Sequence, residues 1–404
     1  MIFPNGIDSE FTRLIDTAID EALKKRGRVN ILVAGKTGVG KSTLINSVFQ
    51  SDLATTGYGK PVTTCTREIR KEGLPVSIFD TRGLELQEFD RTLRELSDLI
   101  LHRRRNPDPN EHVHFAWMCI SEDSRRVEDA EIRLCNMLME NDLPAIVVIT
   151  KARSDGGFRA EVQRLLPMAG NVVRVRAISE EQDDGHVLDP MGLRDLVDLT
   201  MEIVPQSQKN AFVAAQKVTL WHKKEQAHKI VAVAAAAAAT AGAAPIPFSD
   251  FLALVPIQVG MLSSVSAVFG LPLSTLSLTT LAGSILIGSA GTIGGRALVS
   301  NILLLLPGAG WATRAGINAA TASTFTMAFG EAYIRAISFL IERDPHNPPT
   351  VEQIGAQLKT ELSKINPFGE PRNKADALPA PVADSAPAKS EAAHTNDSVV
   401  PQPH

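Results

Sequence analysis

Residues 29–43 read VNILVAGKTGVGKST, and this run decides the fold. VNILVA (29–34) is short, apolar and rich in β-branched residues, the pattern of a strand buried on both faces. KSTLINSVFQ (41–50) reads as a helix, and between the two lies GKTGVGKS (35–42). A strand, a G-x-x-x-x-G-K-[ST] turn and a helix together make a phosphate-binding loop. Gly35, Gly38 and Gly40 allow turns that a side chain would obstruct, so successive backbone N–H groups face an anion at a helix start. Lys41 is placed to reach the β- and γ-phosphates of a nucleotide, and Ser42 to offer a hydroxyl to Mg²⁺. The expected cradle is Gly35, Lys36, Thr37, Gly38, Val39, Gly40, Lys41, Ser42 and Thr43.

Outward from the loop, strand-like and helix-like runs alternate. VSIFD (76–80), HVHFAWMCI (112–120), PAIVVIT (144–150) and NVVRVRAI (171–178) read as strands. Residues 87–103, 125–140, 157–167 and 191–203 carry helical periodicity. Such alternation implies an α/β domain with a parallel-dominated sheet covered on both faces, over 28–204. DTRG (80–83) falls at the end of VSIF, at the carboxyl edge of the sheet where ligands bind. Asp80 is expected to hold Mg²⁺ and the Gly83 amide to sense the γ-phosphate. In PVTTCT (61–66) a threonine, Thr63 first and Thr64 second, can meet the metal only when a γ-phosphate is present, which makes the loop an order–disorder switch. Lys41 and Thr63 are the candidate catalytic groups; Ser42, Thr63 and Asp80 are the candidate metal ligands.

GKTGVGKST, PVTT, DTRG and TKA, in that order and spacing, resemble the first four motifs of the Era-like P-loop GTPases. The resemblance covers about 28–204 and implies GTP and GDP as ligands, Mg²⁺, hydrolysis of GTP and a conformational switch. Two positions depart from it. The fourth motif, usually [NT]-K-x-D, reads Thr150-Lys151-Ala152-Arg153, and an arginine cannot accept the N–H groups of guanine. Either Asp155 reaches back, or base selectivity is weak. Thr150 and Lys151 still match, and the fifth motif falls in RAIS (176–179), with Ser179 or a nearby backbone amide near the base. The residue after Gly83 is Leu84, which cannot orient an attacking water, so a slow intrinsic rate is expected, with a dimer partner or another group of the chain completing the site. Arg125 and Arg126 invite a reading as arginine fingers, but the preferred reading is solvated residues at a helix start.

The rest of the chain differs in kind. Of 404 residues, 41 are basic and 45 acidic, a near-neutral balance that argues against a dedicated nucleic-acid binder. Three cysteines, Cys65, Cys119 and Cys135, lack zinc-ligand spacing and point to a reducing compartment. The opening MIFPNGIDSE lacks a secretory pattern, and residues 1–27 hold an amphipathic helix. Between Phe251 and Gly295 there is no Asp, Glu, Lys or Arg. Residues 205–343 read as long Ala/Gly-rich helices, 344–365 as a C-terminal helix, and the Pro/Ala/Ser-rich 366–404 as a disordered tail.

The stretches 230–249, 251–272 and 273–295 approach spanning length. Their Ala, Gly, Ser and Thr content equally suits a dry helical bundle. PIPFSD (245–250) and the residues after it resemble a poorly characterised bacterial helical domain found fused to Era-like GTPases, which implies membrane contact more than chemistry. The expected setting is therefore the bacterial cytoplasm or the cytoplasmic face of the inner membrane, with a membrane or membrane-protein contact and a homo-oligomer among the partners.

Overall fold

The computed structural model describes residues 7–49, 53, 58–61, 63, 66–81, 89–167, 169–242, 250–271, 314–345 and 347–364. The described residues of the first half form a seven-stranded sheet. Its strands are β1 (Val29–Ala34), β2 (Tyr58–Pro61), β3 (Thr66–Arg70), β4 (Val76–Thr81), β5 (Phe115–Ser121), β6 (Ala145–Thr150) and β7 (Asn171–Arg174). Their spatial order is β2-β3-β4-β1-β5-β6-β7. β4, β1, β5, β6 and β7 run parallel, while β3 is antiparallel to both β2 and β4. The parallel strands β1, β5 and β6 are buried at every position, which is why they read as continuous apolar runs rather than alternating ones.

Helices α2 (Lys41–Val48), α3 (Phe89–Arg104), α4 (Asp129–Glu140), α5 (Phe158–Leu165) and α6 (Leu193–Ile203) cover the sheet. One core layer centres on Leu44, Val48, Phe49, Trp117, Ile146 and Leu196. The other centres on Leu32, Phe79, Leu96, Leu134, Val147 and Val162. A small hairpin, β8 (Glu180–Glu181) with β9 (Val187–Leu188), comes after β7.

Several boundaries differ from the sequence expectation. The run 61–66 is bracketed by the edge strand β2 and its neighbour β3, which pair with each other and through β3 with β4. TREIR is too charged to be read as a strand on its own; pairing, not propensity, makes it one. The strand expected over 171–178 leaves the ladder after Arg174, and Arg176 pairs instead with Met191. The helix expected from 125 begins at Asp129, capped by reciprocal bonds between Glu128 and Glu131. His112 and His114 precede β5 rather than lying in it. His114 Nδ1 accepts the Asn30 N–H at 2.9 Å, so this histidine closes the start of β1.

The second half is helical: α7 (Lys209–Ala215), α8 (Leu220–Gly242), α9 (Asp250–Phe269), α10 (Arg314–Arg343) and α11 (Val351–Lys364). Its core joins Val231 of α8, Val259, Leu262 and Val265 of α9, Phe329, Tyr333 and Ile337 of α10, and Leu358 of α11. α1 (Ile7–Arg26) packs on α9 and contributes Ile19 to this core, so the first helix of the chain belongs to its second half. The reverse holds for α7, whose Ala211, Phe212 and Ala215 lie in the sheet's own core layer.

No described helix is long and apolar enough to cross a membrane. The described part of the charge-free stretch, α9, sits among α1, α8 and α10 with its polar side chains turned inward. Gln258 Nε2 donates to Thr326 Oγ1 at 2.7 Å, and Ser266 shares a hydrogen bond with Tyr333 at 2.7 Å. The stretch 273–295, the PIPFS part of PIPFSD and the tail 366–404 lie outside the described residues.

Candidate functional site

The parallel register brings the motifs together. Val33 of β1 is paired with Asp80 of β4, and Ala34 with Met118 of β5, so the loop after Ala34 leaves the sheet between the ends of β4 and β5. Here the strand order reverses around β1, opening the crevice where open α/β sheets take ligands.

The loop is built for close backbone approach. Gly35 has φ 152°, and a Cβ there would stand 2.5 Å from the Cys119 carbonyl oxygen. Gly38 and Gly40 have φ of 79° and 98°, and Gly40 starts α2 in the left-handed conformation. Lys41 is buried, and its Nζ donates to the carbonyls of Gly35 at 2.9 Å and Lys36 at 3.0 Å. The ammonium thus rests on loop carbonyls that phosphate oxygens would replace as acceptors. Thr37, Ser42 and Thr43 are exposed and Val39 is buried. Lys36 is paired with Glu128 of the α4 cap, which ties the loop to the far side of the crevice.

Asp80 carries the clearest sign of an absent partner. Its Oδ1 is buried with no hydrogen bond. Burial pushes the carboxyl above its ordinary range, while Lys41 and Arg67 pull it down. A buried carboxylate oxygen left unpaired is costly unless a ligand supplies the counter-charge. The donor set fits Mg²⁺: a hard carboxylate near the end of β4 and an exposed hydroxyl, Ser42, at the start of α2. Thr63 lies in the β2–β3 connection, its N–H donating to Thr66 O at 3.2 Å. It lines an open groove of about 1020 Å³ with Glu95, Leu99 and Arg103 of α3. Gly83, Thr64 and Leu84 lie outside the described residues.

On the other side of the loop, Thr150 Oγ1 donates to Val39 O at 2.5 Å, so the fourth motif holds the phosphate loop directly. Lys151 has φ 53°, an unusual conformation for a lysine. The backbone at Arg153 and Ser154 is organised by Glu122. This acid is 2 % exposed and accepts the Arg153 N–H at 2.5 Å, the Ser154 N–H at 2.9 Å and Arg174 Nε at 2.7 Å. Burial alone would raise its carboxyl, but the bonds from Arg174 and the two amides hold it below the usual range.

The sequence gives no hint of Glu122, because an acid after CIS carries no motif; its role comes from partners 30 and more residues away. Asp155 is engaged elsewhere, accepting the Arg159 N–H at 2.9 Å at the start of α5 and lying 3.5 Å from Arg174 Nε. Arg125 donates to the carbonyls of Ser154 and Asp155 and braces this loop, while Arg126 is exposed beside Glu128. Ser179 is exposed at the approach to β8. Cys119 and Cys135 are buried and unbridged, and burial pushes the Cys119 thiol up to about 12, out of nucleophilic range.

Residues 30–151 match the family described as 50S ribosome-binding GTPase. Residues 206–364 match a domain of unknown function, DUF697. The tRNA modification GTPase MnmE of Bordetella parapertussis (strain 12822) is 32% identical over 184 residues, an alignment spanning 39% of this chain and 38% of that protein. Translocase of chloroplast 108 of Physcomitrium patens is 36% identical over 85 residues, 19% of this chain and 8% of that one. Among solved structures, a probable GTP-binding protein engB is 18% identical with a TM-score of 0.31, covering 43% of this chain and 98% of its own. Era of Aquifex aeolicus is 18% identical with a TM-score of 0.29, covering 55% and 70%. The chain therefore holds a stretch matching a GTPase family, followed by one matching a domain of unknown function.

Proposed function

We propose that this protein is a nucleotide switch: it binds GTP and GDP with Mg²⁺, hydrolyses GTP slowly to GDP and phosphate, and passes the nucleotide state to its helical half. The observation that carries the nucleotide reading is a buried Lys41, resting on replaceable carbonyls, near the Asp80 carboxylate of the neighbouring strand, whose buried Oδ1 has no hydrogen bond. Mg²⁺, when bound, neutralises charge on the β- and γ-phosphates. Asp80 and Ser42 are the residues that would hold it. The amides of 35–43 bind and orient the phosphates, Lys41 stabilises the charge that builds on them, and Thr63 closes over the γ-phosphate from the β2–β3 connection.

Coupling has a physical route. α2, which begins at the phosphate loop, ends at Phe49, and Phe49 pairs with Gln216 as an antiparallel bridge. Lys217 N–H donates to Val48 O at 2.8 Å. Phe49 is stacked on Trp117 at 5.6 Å and edge-on to Phe212 of α7 at 6.2 Å. A few residues on, the buried Lys223 donates to the carbonyls of Ala214 at 3.0 Å and Phe269 at 3.3 Å, joining the ends of α7 and α9. A shift of α2 on nucleotide exchange is thereby felt at the C-terminal end of α9.

The helical half is read as contacting a membrane or membrane protein at the cytoplasmic face of a bacterial inner membrane, on the strength of its charge-free run 251–295. Arg153 and Leu84 motivate a second reading, a module that holds nucleotide with scarcely any turnover. Single-turnover release of phosphate from GTP separates the two: a rate above that of Lys41→Ala supports the switch, and a rate equal to it leaves only the binding module.

A further inference from the structure

The fourth motif presents a cation, Arg153, where a carboxylate would read guanine, and the structure points to where the carboxylate has gone. Guanine offers N1–H and N2–H₂ donors along one edge, while adenine offers an acceptor at N1, so a guanine-selective site needs an acceptor there. Besides Asp183, whose charge acts on Arg153, four acids surround the Lys151–Arg153 loop. Glu122 is buried and accepts from two amides and Arg174, so its capacity is spent on the loop. Asp155 is tied through Oδ1 to the start of α5 and to Arg174, and its backbone carbonyl is held by Arg125. Asp123 stands 3.7 Å from Lys151 Nζ and 3.9 Å from Arg153, on the β5 side of the loop, with Ser121 Oγ at 3.4 Å. The fourth, Glu180, is joined to the Arg153 guanidinium through Oε1 alone. It immediately follows Ser179, the residue the sequence placed near the base, and its side chain is 30% exposed.

Two features make Glu180 more than a surface ion-pair partner. Its backbone belongs to the β8–β9 hairpin, paired with Leu188, so the carboxylate is carried on an ordered element rather than a free loop. Arg153, in turn, has its own N–H fixed by the buried Glu122, so the cation that grips Glu180 is itself held in place. The pair is a charge-reversed form of a carboxylate in the fourth motif facing a polar fifth motif.

We propose that Glu180 reads the N1–H and N2–H₂ edge of guanine through its unshared oxygen, with Arg153 as the positioning residue that aims it. This rests on the nucleotide reading above and adds the source of its base selectivity. Oε1 stays on Arg153 and Oε2 turns to the base, so Arg153 keeps its carboxylate partner when nucleotide enters.

The test is calorimetry with Mg²⁺ and the diphosphates of guanosine, inosine, adenosine and xanthosine, on the full chain and on Glu180→Gln, Asp123→Asn and Arg153→Ala. The wild type should prefer guanosine to adenosine diphosphate, and should bind inosine diphosphate, which lacks the N2 amino group, roughly tenfold more weakly. Glu180→Gln should lose guanine by roughly tenfold or more and gain xanthine, whose C2 oxygen accepts from the new amide. Asp123→Asn should keep the wild-type order. Arg153→Ala should narrow the guanine-to-inosine ratio while leaving adenosine diphosphate affinity unchanged, and Arg153→Lys should restore the ratio. Equal binding of guanosine and inosine diphosphates by the wild type overturns the proposal without depending on any variant. Wild-type preference in a Glu180→Gln protein that melts like the parent also overturns it, while the nucleotide reading survives. Absence of binding to any diphosphate removes both.

Discussion

The crevice at the end of β1 and the helical core around α9 both bury polar side chains, and they treat them in opposite ways. In the crevice the groups are held in reserve. Asp80 Oδ1 has no partner, and Lys41 rests on two carbonyls of its own loop. In the helical core the groups are spent on one another: Ser263 on Val259 O, Ser266 on Tyr333, Gln258 on Thr326, Lys223 on the ends of two helices. The Gln258 amide oxygen and the hydroxyls of Thr219 and Ser338 stay unpaired, but they are neutral, and an unpaired carboxylate costs far more to bury. A region that leaves charge unsatisfied is prepared for a ligand; a region that pairs its polar groups internally is prepared to hold a shape. The two meet at Phe49, Gln216 and Lys223, where the helix of the first region is hydrogen-bonded to the linker of the second.

The comparison can be broken from either side. The largest expected effect is on the crevice: Lys41→Ala should weaken GTP and GDP by roughly 100-fold or more, since charge-assisted bonds to two phosphates are lost. Its urea midpoint should hold near the wild-type value, because the lysine supports no other element; a protein that lost both would make Lys41 a structural residue. The mirror experiment is Gly330→Ala in α10. A Cβ there meets both methyls of Val231 at 2.5 and 2.6 Å and Met261 Sδ at 2.9 Å. Val231 is β-branched and fixed in a helix, so it cannot turn away. Denaturant melts should lose about 1–3 kcal/mol, with nucleotide affinity unchanged.

Thr63→Ala sharpens the crevice side. Affinity for a GTP analogue should fall by about tenfold while GDP binding stays within about twofold, as expected of a group that engages only the γ-phosphate state. Equal losses for both would take Thr63 out of the switch. The most gradual effect is the pH dependence of the helical side. Burial pushes the Lys223 ammonium down to about 7 from an ordinary 10.5. The folded state therefore binds its proton less readily than the unfolded one, so stability should rise from about pH 7 toward 10.5 and be lower, and level, beneath 7. Lys223→Met should flatten that slope in thermal melts taken across the window.

Legibility from the residues alone divides along the same line. The phosphate loop and the Asp80 strand end were legible because their chemistry dictates both residue type and local spacing. The substitution of Arg153 was legible as a departure, yet its meaning was not, because Glu122 and Glu180 reach it from 31 and 27 residues away. The strands β2 and β3 were hidden in a charged segment that only pairing makes extended. The neighbours of α1 and α7 could not be read for one reason: amphipathicity says that a helix has a partner face, and nothing local says whose. Lys223 gave no warning at all, since a lysine in WHKKEQ reads as a solvated face.

The account stands on transmission from the crevice to the helical half. Hydrogen exchange of the full chain, compared between GDP and a non-hydrolysable GTP analogue with Mg²⁺, tests it most directly. The amides of 216–223 and of the last turns of α9 should differ in protection between the two states, and the difference should vanish in Lys41→Ala. Differences confined to 30–151, with the helical half identical in both states, would contradict it.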